Sequence, residues 1–172
     1  VTVPDAAAMH ADPGGLTIDI ADHSVAIAMT GGGSWSIPLG PVTLAADELS
    51  SDPPRPADLT NALGFIHDYF DDIVGAAPSV LATPSVVAVG RHARVLARVE
   101  VGRTEIPADY RLLRIDADEV FRTLVAEPRA ERLHNPGLDA GDVDTVIGTL
   151  CIVLAIMRRL DLGEMSVLAG PA

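Results

Sequence analysis

The chain contains no lysine: all twelve of its cationic side chains are arginine, set against twenty-four Asp and Glu for a formal charge of −12. So acidic a surface repels polyanions at long range and offers a phosphate backbone or an anionic bilayer little to hold, so neither nucleic acid nor membrane is expected as a partner. Aromatic residues make up only 3% of the sequence. The few present (Trp35, Phe65, Tyr69, Phe70, Tyr110 and Phe121) leave the core to aliphatic side chains and alanine, and they supply no platform on which single-stranded bases would stack. Cys151 is the one cysteine, so no intramolecular disulfide forms; lying in an apolar run, it reads as a small buried hydrophobe and is compatible with a reducing cytoplasm. Long apolar runs are also missing. The longest, Val146 to Met157, is interrupted by Gly148 and Thr149 and falls short of the roughly 18 to 20 residues that span a bilayer. No n-region or h-region of a signal peptide is present, and the opening at Val1 leads us to expect a processed or excised piece. Cytoplasmic localisation is the resulting expectation.

What is present is ordinary globular composition: 172 residues, 48% apolar and 21% charged, with 15 Gly and 13 Pro. That is enough for one domain with a full core. Residues 1–15 carry Pro4, Pro13, Gly14 and Gly15 without a sustained period and read as a leader or linker, leaving 16–172 as the domain. Leu16 to Ile20, Ser24 to Met29 and Trp35 to Leu39 are short apolar or alternating segments, read as three strands of an antiparallel meander. The triple glycine Gly31-Gly32-Gly33 joins strand to strand and opens no helix, so it reads as a hairpin turn and not as a phosphate loop. Val42 to Leu49 reads as helical, and Pro56 suits the first turn of a second helix. From Ala57 to about Gly75, the apolar residues Leu59, Leu63, Ile66, Phe70 and Ile73 recur every three or four positions as the stripe of that amphipathic helix.

Further on, Val86 to Val89 reads as a buried strand. Residues 91–101 are ambiguous, because Arg91, Arg94 and Arg98 share a helical face while Val95, Ala97, Val99 and Val101 alternate as a strand would. Tyr110 to Ile115 reads as a strand leading to Asp116, which with Glu119 forms an N-terminal capping pattern for the next helix. A short helix after Pro128 is followed by Asp139, Asp142 and Asp144, which precede the run Thr145 to Leu160 closed by Arg158 and Arg159. Acids at the start and bases at the end complement the dipole of this core helix. Met165 to Leu168 reads as a final strand. The order of strands and helices describes an α/β layered domain.

Several stretches in succession resemble the second half of the catalytic core of the exopolyphosphatase/guanosine pentaphosphate phosphohydrolase (Ppx/GppA) proteins. They are residues 16–29, the string SIPLGPVTLAADELSSDPPRPADL (Ser36 to Leu59), SVVAVG (Ser85 to Gly90), YRLLRIDADEVFRTL, and GLDAGDVDTVIGTLCIVLAIMRRLDLGEMSV (Gly137 to Val167). The resemblance implies one lobe of an actin-like ATPase (ribonuclease H-like) fold, a mixed sheet with flanking helices, without the N-terminal lobe and its general base. It also implies where a phosphate would sit. The family's loop of type D-I-G-G-G-S-T-E falls on Asp19-Ile20-Ala21-Asp22-His23-Ser24-Val25-Ala26, keeping Asp19 and Ser24 but replacing the glycines with Ala21, Asp22 and His23 and the final acid with Ala26. Side chains there block close backbone approach, and Asp22 places negative charge where a phosphate would lie. The second loop, V-G-G-T, falls on Val89-Gly90-Arg91-His92, where one glycine survives, and a core-helix glycine of the family falls on Thr149.

Other constellations are weaker. Asp19, Asp22 and His23 have metal-ligand chemistry, yet their spacing suits a solvated β-turn as well, and no H-x-H, H-E-x-x-H or C-x-x-C accompanies them. His67 with Asp68, Asp71 and Asp72 reads as a solvated acidic helix face. Ser24, Ser34 and Ser36 beside His23 lack a G-x-S-x-G elbow. Arg91, His92, Arg94, Arg98 and Arg103 form the one basic island of the chain, readable as an anion or acidic-partner site at Gly90 to Arg98 or as a solvated face paired with Glu100 and Glu105. The reading that follows is a non-catalytic Ppx/GppA-like lobe, without cofactor, that binds a protein partner or itself through an exposed inter-lobe face. The alternative is a phosphoanhydride hydrolase lobe that needs magnesium and a second lobe for activity.

Overall fold

The structure, a computed structural model, describes residues 13–168. The expected leader therefore lies almost wholly outside the described residues. Three strands open the fold: β1 (Leu16–Ile20), β2 (Val25–Met29) and β3 (Ser34–Ile37), paired antiparallel with Ile18 opposite Ile27 and Ile27 opposite Trp35. Alternation selects the face. Leu16, Ile18, Ile20, Val25 and Ile27 are buried, while Ser34 and Ser36 on β3 are exposed, as a half-covered sheet requires. The triple glycine makes the β2–β3 turn, closed by Met29 N–H donating to the Gly33 carbonyl at 2.9 Å. Strand β4 (Val86–Val89) lies parallel to β1, β6 (Glu164–Val167) parallel to β4, and β5 (Arg111–Leu113) antiparallel to β6, giving the order β3-β2-β1-β4-β6-β5.

The helices are α1 (Pro41–Asp47), α2 (Pro56–Ala76), α3 (Arg91–Val101), α4 (Arg114–Ala126), α5 (Arg129–Arg132) and α6 (Val146–Arg159), with a short 3-10 turn at Pro78–Ala82. The ambiguous stretch 91–101 is helical. Its buried residues are His92, Ala93, Val95, Leu96, Ala97 and Val99, and the helical recurrence of 92, 95, 96 and 99 outweighs the β-branched alternation. Helix α6 is the centre of the molecule, in contact with α1, α2, α3 and α4. Every residue from Val146 to Met157 is buried. Cys151 is among them, and burial pushes its thiol up to about 12, which removes the thiolate on which its reactivity depends.

Two sequence expectations need correction. Helix α4 begins at Arg114 with Leu113 as its N-cap, so Asp116 lies in the first turn and caps nothing with its side chain. Strand β5 runs straight into the helix because Arg114 N–H is already taken by the Gly163 carbonyl at 2.9 Å. The acids before α6 are likewise engaged elsewhere. Asp144 binds Arg129 at 2.7 Å, and Asp139 and Asp142 both bind Arg98, at 3.0 and 3.5 Å.

The proline-rich string Ser51 to Pro56 acts as a clamp. Asp52 accepts the Arg129 backbone N–H at 2.8 and 2.9 Å and Arg132 Nη2 at 3.0 Å, which ties the loop to the N-terminus of α5. Arg55 and Asp58 form a capping box on α2. The Arg55 hydrogen bonds hold the Asp58 carboxyl down at about 2.

Candidate functional site

The β1–β2 turn and the start of α3 meet at one place. The turn is closed by Ala21 N–H donating to the Ser24 carbonyl at 3.0 Å, and its outer backbone seats on the beginning of α1. Val42 N–H donates to the Asp22 carbonyl at 2.9 Å, and a Cβ on Gly40 would stand 2.4 Å from that same oxygen. His23 reaches the Thr43 hydroxyl at 3.3 Å. On the opposite side, Gly90 is the N-cap of α3 at φ 93°. Only glycine takes that conformation without strain, and a Cβ there would stand 2.6 Å from Asp19 Oδ1.

The two loops are joined by side chains. His92, buried on the first turn of α3, donates Nε2–H to Asp22 Oδ1 at 2.7 Å, the carboxylate being acceptor only. Its Nδ1 is buried without a partner among the described residues. Arg91 stands 3.9 Å from the same Asp22 oxygen and also pairs with Asp142. Asp142, although buried, is held between Arg91 and Arg98. The hydrogen bond from His92 keeps the Asp22 carboxyl below its ordinary range, aided by the charges of His92, Arg91 and His23 against the opposing effect of burial.

The structure thus brings Asp19, Asp22, Gly90, Arg91 and His92 together and leaves other expected residues outside. His23 faces Thr43, and Ser24 contributes its carbonyl to the turn. Arg98 turns toward Asp139 and Asp142. Arg94 is half-buried and makes no ion pair among the described residues. The basic island does not pair with Glu100 and Glu105 as the solvated reading supposed: the helix points Arg91 and Arg98 at the 139–142 segment, and Glu100 instead accepts the Tyr110 hydroxyl at 2.6 Å. Asp142 and Asp139 belong to the site and were missed in the sequence, where nothing links them to arginines 41 to 51 positions away.

Chemically, the arrangement is a closed chain of acids and bases. No serine hydroxyl hydrogen-bonds a histidine among the described residues, His23 being bound to Thr43 and His92 to Asp22. The magnesium of the hydrolase alternative finds no complete ligand set among the described residues of this lobe by itself. Among the described residues no group of three or more His, Cys, Asp or Glu gathers to hold an ion, and Asp22 already faces two cationic or donating side chains. A separate cavity of about 360 Å³ between α3 and α4 is lined by Glu100, Asp116, Glu119, Val120, Thr123 and Asn135 among others. It shares no residue with the loop pair, so its size says nothing about that site. No helix among the described residues is long and apolar enough to cross a membrane.

No protein-family model matches the sequence, and no curated protein does. Solved structures do match. An exopolyphosphatase-like protein superposes with TM-score 0.79 at 19% identity, covering 92% of this chain and 56% of that one. The type II variant of the Aquifex aeolicus Ppx/GppA phosphatase gives 0.80 at 14% identity, over 93% and 54%. An exopolyphosphatase from Cytophaga hutchinsonii gives 0.72 at 21% identity, over 92% and 54%. The structural neighbours are thus Ppx/GppA exopolyphosphatase proteins, and this chain spans about half the length of each. The likeness establishes the fold, a single α/β lobe of the actin-like ATPase type.

Proposed function

We propose that this chain is a non-catalytic Ppx/GppA-like lobe that acts through protein binding or regulation. One observation carries the reading: the space between the β1–β2 turn and α3 is spanned by the protein's own Asp22–His92 hydrogen bond, with Arg91 drawn to Asp22 and Asp142. A phosphate entering there would meet the Asp22 carboxylate in place of free backbone N–H groups. The partner would be a protein or a second copy, received on the face that a second lobe would otherwise cover.

The comparisons speak for a second reading. The superposed proteins are an exopolyphosphatase, an exopolyphosphatase-like protein and a Ppx/GppA phosphatase, and this chain matches about half of each. On that reading it is a phosphoanhydride hydrolase lobe completed by another lobe. Isothermal titration with magnesium plus short-chain polyphosphate, and separately with guanosine pentaphosphate, separates the two by binding: the second reading expects phosphate recognition by this lobe, with release only once another lobe completes it. The non-catalytic reading expects neither heat nor release. Binding at about micromolar Kd or tighter, abolished by Arg91→Ala, would overturn it and restore a phosphate-recognising role.

A further inference from the structure

Two of the few aromatic side chains stand in solvent, and they stand together. Phe65 is 47% exposed and Tyr69 38%, and their four-residue spacing stacks both rings on one face of α2. The adjacent arc of the helix, formed by Ala62, Ile66, Phe70 and Ile73, is buried where α2 packs on α6. Asp68 and Asp72 follow Phe65 and Tyr69 by three residues each, so they flank the rings. Both are exposed, and neither forms an ion pair among the described residues, whereas the third acid of the cluster, Asp71, binds Arg159 at 2.6 Å. Between Pro56 and Ala76 the helix has no Arg or Lys at all.

We propose that this face of α2 docks a cationic segment of another protein, rich in Arg or Lys and carrying an apolar anchor. The anchor seats on Phe65 and Tyr69, guanidinium groups stack on the same rings, and the remaining charges meet Asp68 and Asp72. Charge selects this occupant over the others. A second copy related by a two-fold axis would set Asp68 and Asp72 against their own counterparts, and an anionic lipid surface is repelled by the same acids. None of these residues belongs to the Asp22–His92 network, so the docking face is independent of what that cleft does.

The test uses the full chain and an acetylated 12-residue peptide of Arg-Arg-Leu repeats, titrated calorimetrically and by amide chemical shifts. Binding is expected with shifts centred on residues 61–76. Phe65→Ala with Tyr69→Ala should weaken it by about tenfold or more, a loss of about 1.4 kcal/mol. Asp68→Asn with Asp72→Asn, a surface change that leaves packing intact, should weaken it and flatten its salt dependence. Glu105→Gln with Asp109→Asn removes the same charge from an exposed loop and should change nothing. Absence of binding, shifts centred elsewhere, or equal weakening by the loop variant would each overturn the proposal.

Discussion

Asp22 and Asp58 show how one residue type takes its character from its donors. Both carboxyls lie below the ordinary range, Asp22 chiefly through the hydrogen bond from His92 and Asp58 through those from Arg55, which bring it to about 2. A carboxyl depressed on folding adds stability above its unfolded value and gives it up as the pH falls through its folded one. Stability should therefore decline as the pH drops below about 4, the ordinary carboxyl value, and continue toward 2. Urea midpoints measured from pH 6 to pH 2 should fall, and the decline should be shallower for Asp58→Asn, which keeps the shape and removes the titration. An unchanged slope in that variant would deny Asp58 its part. At this scale little of the site was legible. Asp22 and Gly90 to His92 were marked by their positions in the sequence, but Asp142 is joined to Arg91 across 51 positions. Neither composition nor spacing encodes a pair of that kind, because only the packing of α3 against the approach to α6 creates it.

The elements were more legible, because periodicity is a local property. Alternation in Leu16 to Ile20 and in Val25 to Met29, together with the Gly31 to Gly33 turn, specifies the meander found in the structure. Residues 91–101 were not decidable locally, since their valines serve either period. Burial of His92, Val95, Leu96 and Val99 on one side settles the matter only once the rest of the core is present. The start of α4 was misplaced because the acid at Asp116 looked like a cap, while the β5–β6 pairing fixes the cap at Leu113, three residues earlier. Asp52 works at this level too. Its carboxylate receives both Arg129 N–H and Arg132 Nη2, so Asp52→Ala should leave the global fold intact while loosening α5. Hydrogen exchange at the Arg129 amide should accelerate by about tenfold, the equivalent of one hydrogen bond. Unchanged protection there would show that α5 is held by other contacts.

Over the whole molecule, stability is concentrated on α6. Leu150 is fully buried on that helix, and Leu150→Ala should cost about 2 to 5 kcal/mol, the sum of lost transfer energy and an unfilled cavity. Ile115, 69% exposed, is the natural control, and Ile115→Ala should stay within about 0.5 kcal/mol. Denaturant titration of the two variants checks this, and similar losses in both would mean that the core is not organised around α6. That helix was also the most legible part of the sequence, its apolar girth announcing burial on every side. Its place in chain order has a consequence for biosynthesis. The segment that α1, α2, α3 and α4 pack upon is made after all four of them, and β5, which among the described residues pairs with β6 alone, waits for Glu164 to Val167. A nascent chain emerging from the ribosome holds everything from β1 to α5 with no centre to close around until α6 follows. Folding of this lobe therefore waits on α6 and β6 and does not proceed element by element, so a chain cut before Val146 should stay unfolded by circular dichroism.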